Sequence, residues 1–238
     1  MQVHIQCRQV INMIMLFSAC LQSGCLAGTP VAEDAPPAIN PIRNVREALD
    51  ARTSSFVTHP TFADFSVCYG NTCRYIATLG LGQEEQERIR GMFSTATLSP
   101  EEERARIRDA VAALERITGD KTGTSADRGE NLNGLGQAGQ MDCVDESTNT
   151  TVYLTMLQVD HLLRWHAVEP RTSRGLGSLQ VPHFTAVIRD KNDNMRYAVD
   201  SWFLDNGEPP FIVPLSIWGK GWRPQSAYTT TVGYDNNK

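Results

Sequence analysis

The sequence has no long apolar run: no stretch reaches the roughly 18 residues that a membrane-spanning helix needs. It also has no basic surplus. Lys and Arg number 22 against 27 Asp and Glu, a formal charge of -5, which excludes the electrostatic footprint of a nucleic-acid binder. Cysteines are few, six in all, and no Cys or His pairs recur at zinc spacing. No metal and no cofactor is therefore expected. No internal repeat is visible. What remains is 238 residues, 41% hydrophobic and 21% charged. Those values suit one globular domain with extensions, large enough to bury a core without staples.

The N-terminus reads as an export signal over residues 1–24. Arg8 supplies a positive start, Val10 to Ala19 a short apolar run, and small residues follow. Leu21-Gln-Ser-Gly-Cys25 resembles a bacterial lipoprotein box, in which lipid is attached to the cysteine after cleavage before it. Leu16-Phe-Ser-Ala-Cys20 and ordinary cleavage near Ala27 are the alternatives. With lipid on Cys25, residues 25–55 form an acylated start and a tether. Pro30, Pro36, Pro37 and Pro41 stiffen it. The expected place is then the bacterial cell envelope, on the periplasmic face, held to the membrane by the lipid anchor. The oligomeric state is not legible.

Residues 56–238 form the expected domain. Cys68 and Cys73 flank Tyr-Gly-Asn-Thr, a turn composition that lets two sulfurs meet. In an oxidising compartment they are expected to be a disulfide. Gln83 to Met92 reads as a short charged helix. Ser99-Pro-Glu-Glu opens a longer one, with a Ser99–Glu102 capping box, an apolar stripe of Ile107, Val111, Leu114 and Ile117, and a stop at Gly119. Thr118 to Gln140 is a polar loop. A further helix starts at Cys143 and is expected to close across His161 to His166, a pair suited to a helix C-terminus. Phe184 to Ile188 and Arg196 to Trp202 read as a hairpin around Asp190-Lys-Asn-Asp-Asn. Pro209, Pro210 and Pro214 exclude a central strand after it. Trp218, Trp222 and Tyr228 are expected to cover the sheet.

Cys143 is the cysteine left over, and it opens a helix. Helix-start N–H groups are unpaired and partly positive. They favour thiolate and can donate to an oxyanion. Asp142 beside the thiol works the other way. His183 opens a strand and Asp200 closes the next, so an antiparallel hairpin brings them together. The carboxylate can then orient the imidazole, and the imidazole can activate the thiol. Asp145, Glu146 and Asn149 suit the first turn of the helix, and Glu146 and Asn149 also have the option of lining a cleft. Trp202 is expected to pack in the core, near enough to shield the pair from water.

Cysteine at a helix start, then histidine opening a strand, then aspartate closing the following strand resembles the transglutaminase-like superfamily. Within the papain-like fold it is similar to the bacterial transglutaminase-like cysteine proteinases. The resemblance spans residues 137 to 203. It implies an α+β fold with a papain-like core, the nucleophile helix packed on an antiparallel sheet. It implies Cys143 as nucleophile, His183 as base and Asp200 as orienting acid, and Gln137 or Gln140 as oxyanion donor. The implied function is an exported thiol hydrolase or acyltransferase acting on amide bonds of envelope proteins or cell-wall peptides. The alternative is a catalytically inactive binding or structural lipoprotein on the same fold.

Overall fold

The computed structural model describes residues 56–94, 99–131, 136–175 and 182–225. The expected signal, Cys25, the tether and Tyr228 lie outside them. Among the described residues, ten elements follow one another: strands β1 (Phe65–Tyr69) and β2 (Tyr75–Leu79), helices α1 (Gln83–Gly91), α2 (Pro100–Thr122) and α3 (Cys143–Val159), strands β3 (His166–Arg174), β4 (His183–Asp190), β5 (Arg196–Asp200) and β6 (Phe211–Pro214), and the short helix α4 (Leu215–Trp218). Helices and antiparallel sheets are both present, an α+β mixture.

The start of α2 follows its sequence signals. Ser99 Oγ accepts the Glu102 N–H at 3.1 Å, and Glu102 Oε2 accepts the Ser99 N–H at 2.9 Å. Ile107, Val111, Leu114 and Ile117 are all buried. The helix does not stop at Gly119, however. It runs to Thr122 and ends at Gly123, whose φ of 77° is the left-handed cap that glycine tolerates best. Gly119 has a packing role instead: a Cβ there would meet Asn206 Nδ2 at 2.8 Å.

β1 and β2 form a hairpin closed by the Cys68–Cys73 disulfide, S–S 2.07 Å. The second sheet has the order β3-β4-β5-β6, antiparallel throughout. β4 and β5 are the expected hairpin. β6 takes an edge, where its neighbouring prolines are tolerated. β3 takes the other edge and replaces the expected helix end. Its register shifts between Glu169 and Thr172, around Pro170, so the bulge absorbs a residue that cannot donate to the ladder. His166 begins this strand and is fully buried. Its Nδ1 and N–H both bond Glu103 of α2, and the same carboxylate accepts the Arg164 and Trp165 N–H groups. Although burial raises it, the Glu103 carboxyl is held below the usual range by His166 and those N–H groups. His161 is exposed in a left-handed turn, φ 59°.

α3 lies between the four-stranded sheet on one side and β1 and α2 on the other. Enclosed on both sides, its first two turns are buried from Val144 to Thr150, polar residues included. Its positions at three- and four-residue steps are only partly internal: Val144, Thr148 and Met156 are buried, whereas Val159 is 47% exposed. Tyr153, Leu154 and Leu157 complete the inward face.

Candidate active site

Asp142 caps α3. Its Oδ1 accepts the Val144 and Asp145 N–H groups at 3.0 Å each, and its carbonyl takes the Glu146 N–H. That leaves the Cys143 N–H as the first-turn donor Asp142 does not use, and it lies beside the Cys143 sulfur. The hairpin loop closes over this turn. Asn71 and Cys73 N–H groups bond Asp145 at 2.7 and 2.6 Å, and the Thr72 N–H bonds Asp142 at 2.8 Å. Gly70, Asn71, Thr72 and Cys73 all have positive φ, which turns successive N–H groups toward the two carboxylates. Asn149 fixes the strand behind them by exchanging two hydrogen bonds with the Cys68 backbone, at 2.7 and 2.8 Å.

Cys143 is a free, half-buried cysteine. It packs with the disulfide, Val144 and Phe184. Burial pushes its thiol up to about 12. The Phe184 N–H directed at the sulfur opposes this, and the charges of Asp142 and Asp200 add to it. The helix start therefore does not deliver a resting thiolate. Desolvation outweighs the dipole, with Asp142 acting in the direction its sequence position implies.

His183 and Asp200 meet as the hairpin requires. His183 Nε2 and Asp200 Oδ2 are 2.7 Å apart, and both residues are buried. The same Oδ2 accepts Trp218 Nε1–H at 2.7 Å. The imidazole is enclosed by rings, with centroids at 4.9 Å to Trp202, 5.3 Å to Phe203 and 5.5 Å to Trp218. With Nε2 committed to Asp200, Nδ1 is the remaining nitrogen. The N–H of the next residue, Phe184, points at the Cys143 sulfur. The structure thus gathers Cys143, His183 and Asp200 at one end of α3 and the β4–β5 pair.

Gln140 does not join them. Both ends of the Gln140 amide are engaged in its own loop: Oε1 accepts from the Arg128 N–H and from Asn131, and Nε2 donates to the Ala126 carbonyl at 2.9 Å. Gln137 is exposed, and its carbonyl accepts the Gln140 N–H. Glu146 and Asn149 do not line a cleft beside the thiol. Asn149 serves β1, and Glu146 points to the other side of α3. There it hydrogen-bonds Asp127 and lies close to Glu115 around a cavity of about 10 Å³, also lined by Tyr153 and Asn206. Sequence reasoning missed this buried acidic cluster and the role of Trp218. Trp218 was legible only as an apolar residue, since an indole's single N–H names no partner until the fold is known.

Among the described residues, the side chains gathered closely enough to hold a metal are Cys68, Cys73 and Asp145, and two of those three ligands are consumed by the disulfide. No described helix is long and apolar enough to cross a membrane. No family model matches the chain, and no match is found among curated proteins or solved structures.

Proposed function

We propose that this is a thiol enzyme that cleaves or transfers an amide through an acyl-thioester on Cys143. The observation that carries the reading is Asp200 Oδ2. It holds His183 Nε2 and Trp218 Nε1 at 2.7 Å each while the neighbouring Phe184 N–H meets the Cys143 sulfur. Asp200 fixes the tautomer and leaves Nδ1 basic. As the sulfur attacks the carbonyl carbon, its proton passes to Nδ1 and the carbonyl oxygen becomes an oxyanion. The Cys143 N–H is the nearest unassigned helix donor for that charge. Collapse breaks the C–N bond, and the imidazolium gives its proton to the leaving amine. Water or a second amine then takes the acyl group. The order Cys143, His183, Asp200 supports the transglutaminase-like reading within a papain-like fold. Export, lipid on Cys25 and a substrate among envelope proteins or cell-wall peptides belong to the same proposal.

The second reading is a binding or structural envelope protein that keeps the fold without turnover. The raised thiol favours it. Iodoacetamide labelling of the folded protein with peptide mapping separates the two. A thiol at about 12 with no helper is ionised on the order of one part in a hundred thousand at pH 7. Rapid labelling of Cys143 at neutral pH, slowed at least about a hundredfold in His183→Ala, is the expected result. Equal rates in both proteins, rising only in denaturant, mean that the binding reading is correct.

A further inference from the structure

Beside this site lies a guanidinium with no carboxylate at ion-pair distance among the described residues. Arg174 is the last residue of β3 and pairs directly with His183 across the β3–β4 ladder. Directly paired residues of antiparallel strands project from the same face, so the two side chains share one side of the sheet. The Arg174 guanidinium lies over the Trp218 ring, 4.4 Å from its centroid, and donates from Nη1 to the Trp218 carbonyl. Trp218 is the indole that holds Asp200. Arg174 is therefore stacked on the support of the His183–Asp200 pair.

That stacking and one hydrogen bond use a single donor of the five a guanidinium carries. Among the described residues, no carboxylate lies within ion-pair distance of Arg174. Its remaining donors are half-buried, where an opposite charge is felt more strongly than in open water. Asp200 attracts it from beyond ion-pair distance, and Arg223 is close enough to repel it. The nearest carboxylate to Arg223 is Glu130, at 3.9 Å and largely exposed. Two cations thus converge beside a reactive centre in a chain whose net charge is -5. Asp200 offsets part of the repulsion on Arg174, and an anion bound between the two cations offsets the rest. The negative groups of this region, Asp142 and Asp200, are committed to the helix cap and to His183 with Trp218.

We propose that Arg174, backed by Arg223, is an anion subsite and that the enzyme selects substrates carrying a carboxylate next to the scissile amide. The planar fork of Arg174 accepts a carboxylate in two-point fashion. Its stacking on Trp218 fixes where that carboxylate sits relative to His183. This rests on the thiol reading above and adds a substrate class to it.

The test compares two alkylating probes on the folded full chain, iodoacetate and iodoacetamide. Their reaction centres are alike, and only the first carries a carboxylate. The ratio of their rates at Cys143 is divided by the same ratio for a free model thiol. The subsite gives a normalised preference for iodoacetate of roughly fivefold or more. That preference shrinks as salt is raised, disappears in Arg174→Gln and is kept in part by Arg174→Lys. The salt titration needs no variant, so a misfolded substitution does not spare the proposal. Without a subsite, Asp142 and Asp200 repel the anionic probe and iodoacetamide wins in the wild-type chain. That result overturns the anion subsite while leaving the thiol reading intact. Failure of both probes to label Cys143 without denaturant overturns the thiol reading and the subsite with it.

Discussion

Asp200 serves two donors through one oxygen, and the second is the indole of Trp218. A hydrogen bond to a buried carboxylate is a charge-assisted one, about 1.5–3 kcal/mol. Trp218→Phe keeps the ring that packs on His183 and removes only that N–H. The carboxylate is then less well held, and so is the imidazole it aligns. The expected outcome is a fall in Cys143 labelling or turnover of roughly tenfold, with the melting temperature changed much less than the rate. Thermal unfolding and labelling on the same preparation check this; parallel losses in both would mean Trp218 acts through folding alone. Cys143, His183 and Asp200 were legible because each is a rare chemical type standing where an element begins or ends. Trp218 was not legible, because its partner is set by the packing of α4 and not by spacing.

At the level of elements, the start of α3 is held by the disulfide hairpin as well as by its own turn. Three N–H groups from Asn71, Thr72 and Cys73 reach Asp142 and Asp145. Burial and the Asp142 charge raise the Asp145 carboxyl to about 7 even against the N–H groups that favour its charged form. Opening the disulfide releases this loop. Cys68→Ser with Cys73→Ser is expected to cost about 2 kcal/mol in the chain-entropy account. It should also slow Cys143 labelling, since Asp142 and Asp145 lose donors and their charge bears more on the thiol. Denaturant melts paired with labelling rates read both effects; an unchanged rate in a destabilised protein would confine the hairpin to a structural role. The pairing itself could be read from turn residues between two cysteines. Its docking onto α3 could not, since Asp145 and Asn149 look from sequence like ordinary first-turn residues of a helix. The strand β3 escaped for a related reason: His-Ala-Val-Glu-Pro-Arg-Thr-Ser-Arg lacks apolar alternation, and its pairing with β4 comes from the sheet and the Glu103 anchor.

Across the whole molecule, charge is buried on one side of α3. Burial first, then neighbouring carboxylates, raise Glu115 to about 7 and Asp127 to about 6, and lift Glu146 well above its usual range. Each folded-state value exceeds the unfolded one. Their contribution is fully present below about pH 4, where both states are protonated. It falls as the pH climbs through 6 and 7, because the unfolded chain ionises first. Stability should therefore decline from pH 5 to pH 8, the reverse of the trend set by a salt-bridged carboxylate. Glu146→Gln carries a permanent donor toward Asp127 and should raise stability at pH 8 by on the order of 1–3 kcal/mol while flattening the decline. Urea melts across pH test this, and a wild-type stability that rises with pH over that range would contradict it. The cluster was not legible beforehand because its members stand on α2, a loop and α3, far apart along the chain. The thiol is synthesised long before the indole that steadies Asp200, so a growing polypeptide carries an unaligned sulfur until α4 has folded. Clipping the segment from Phe211 onward would disarm the site just as surely, with Cys143, His183 and Asp200 all still in place.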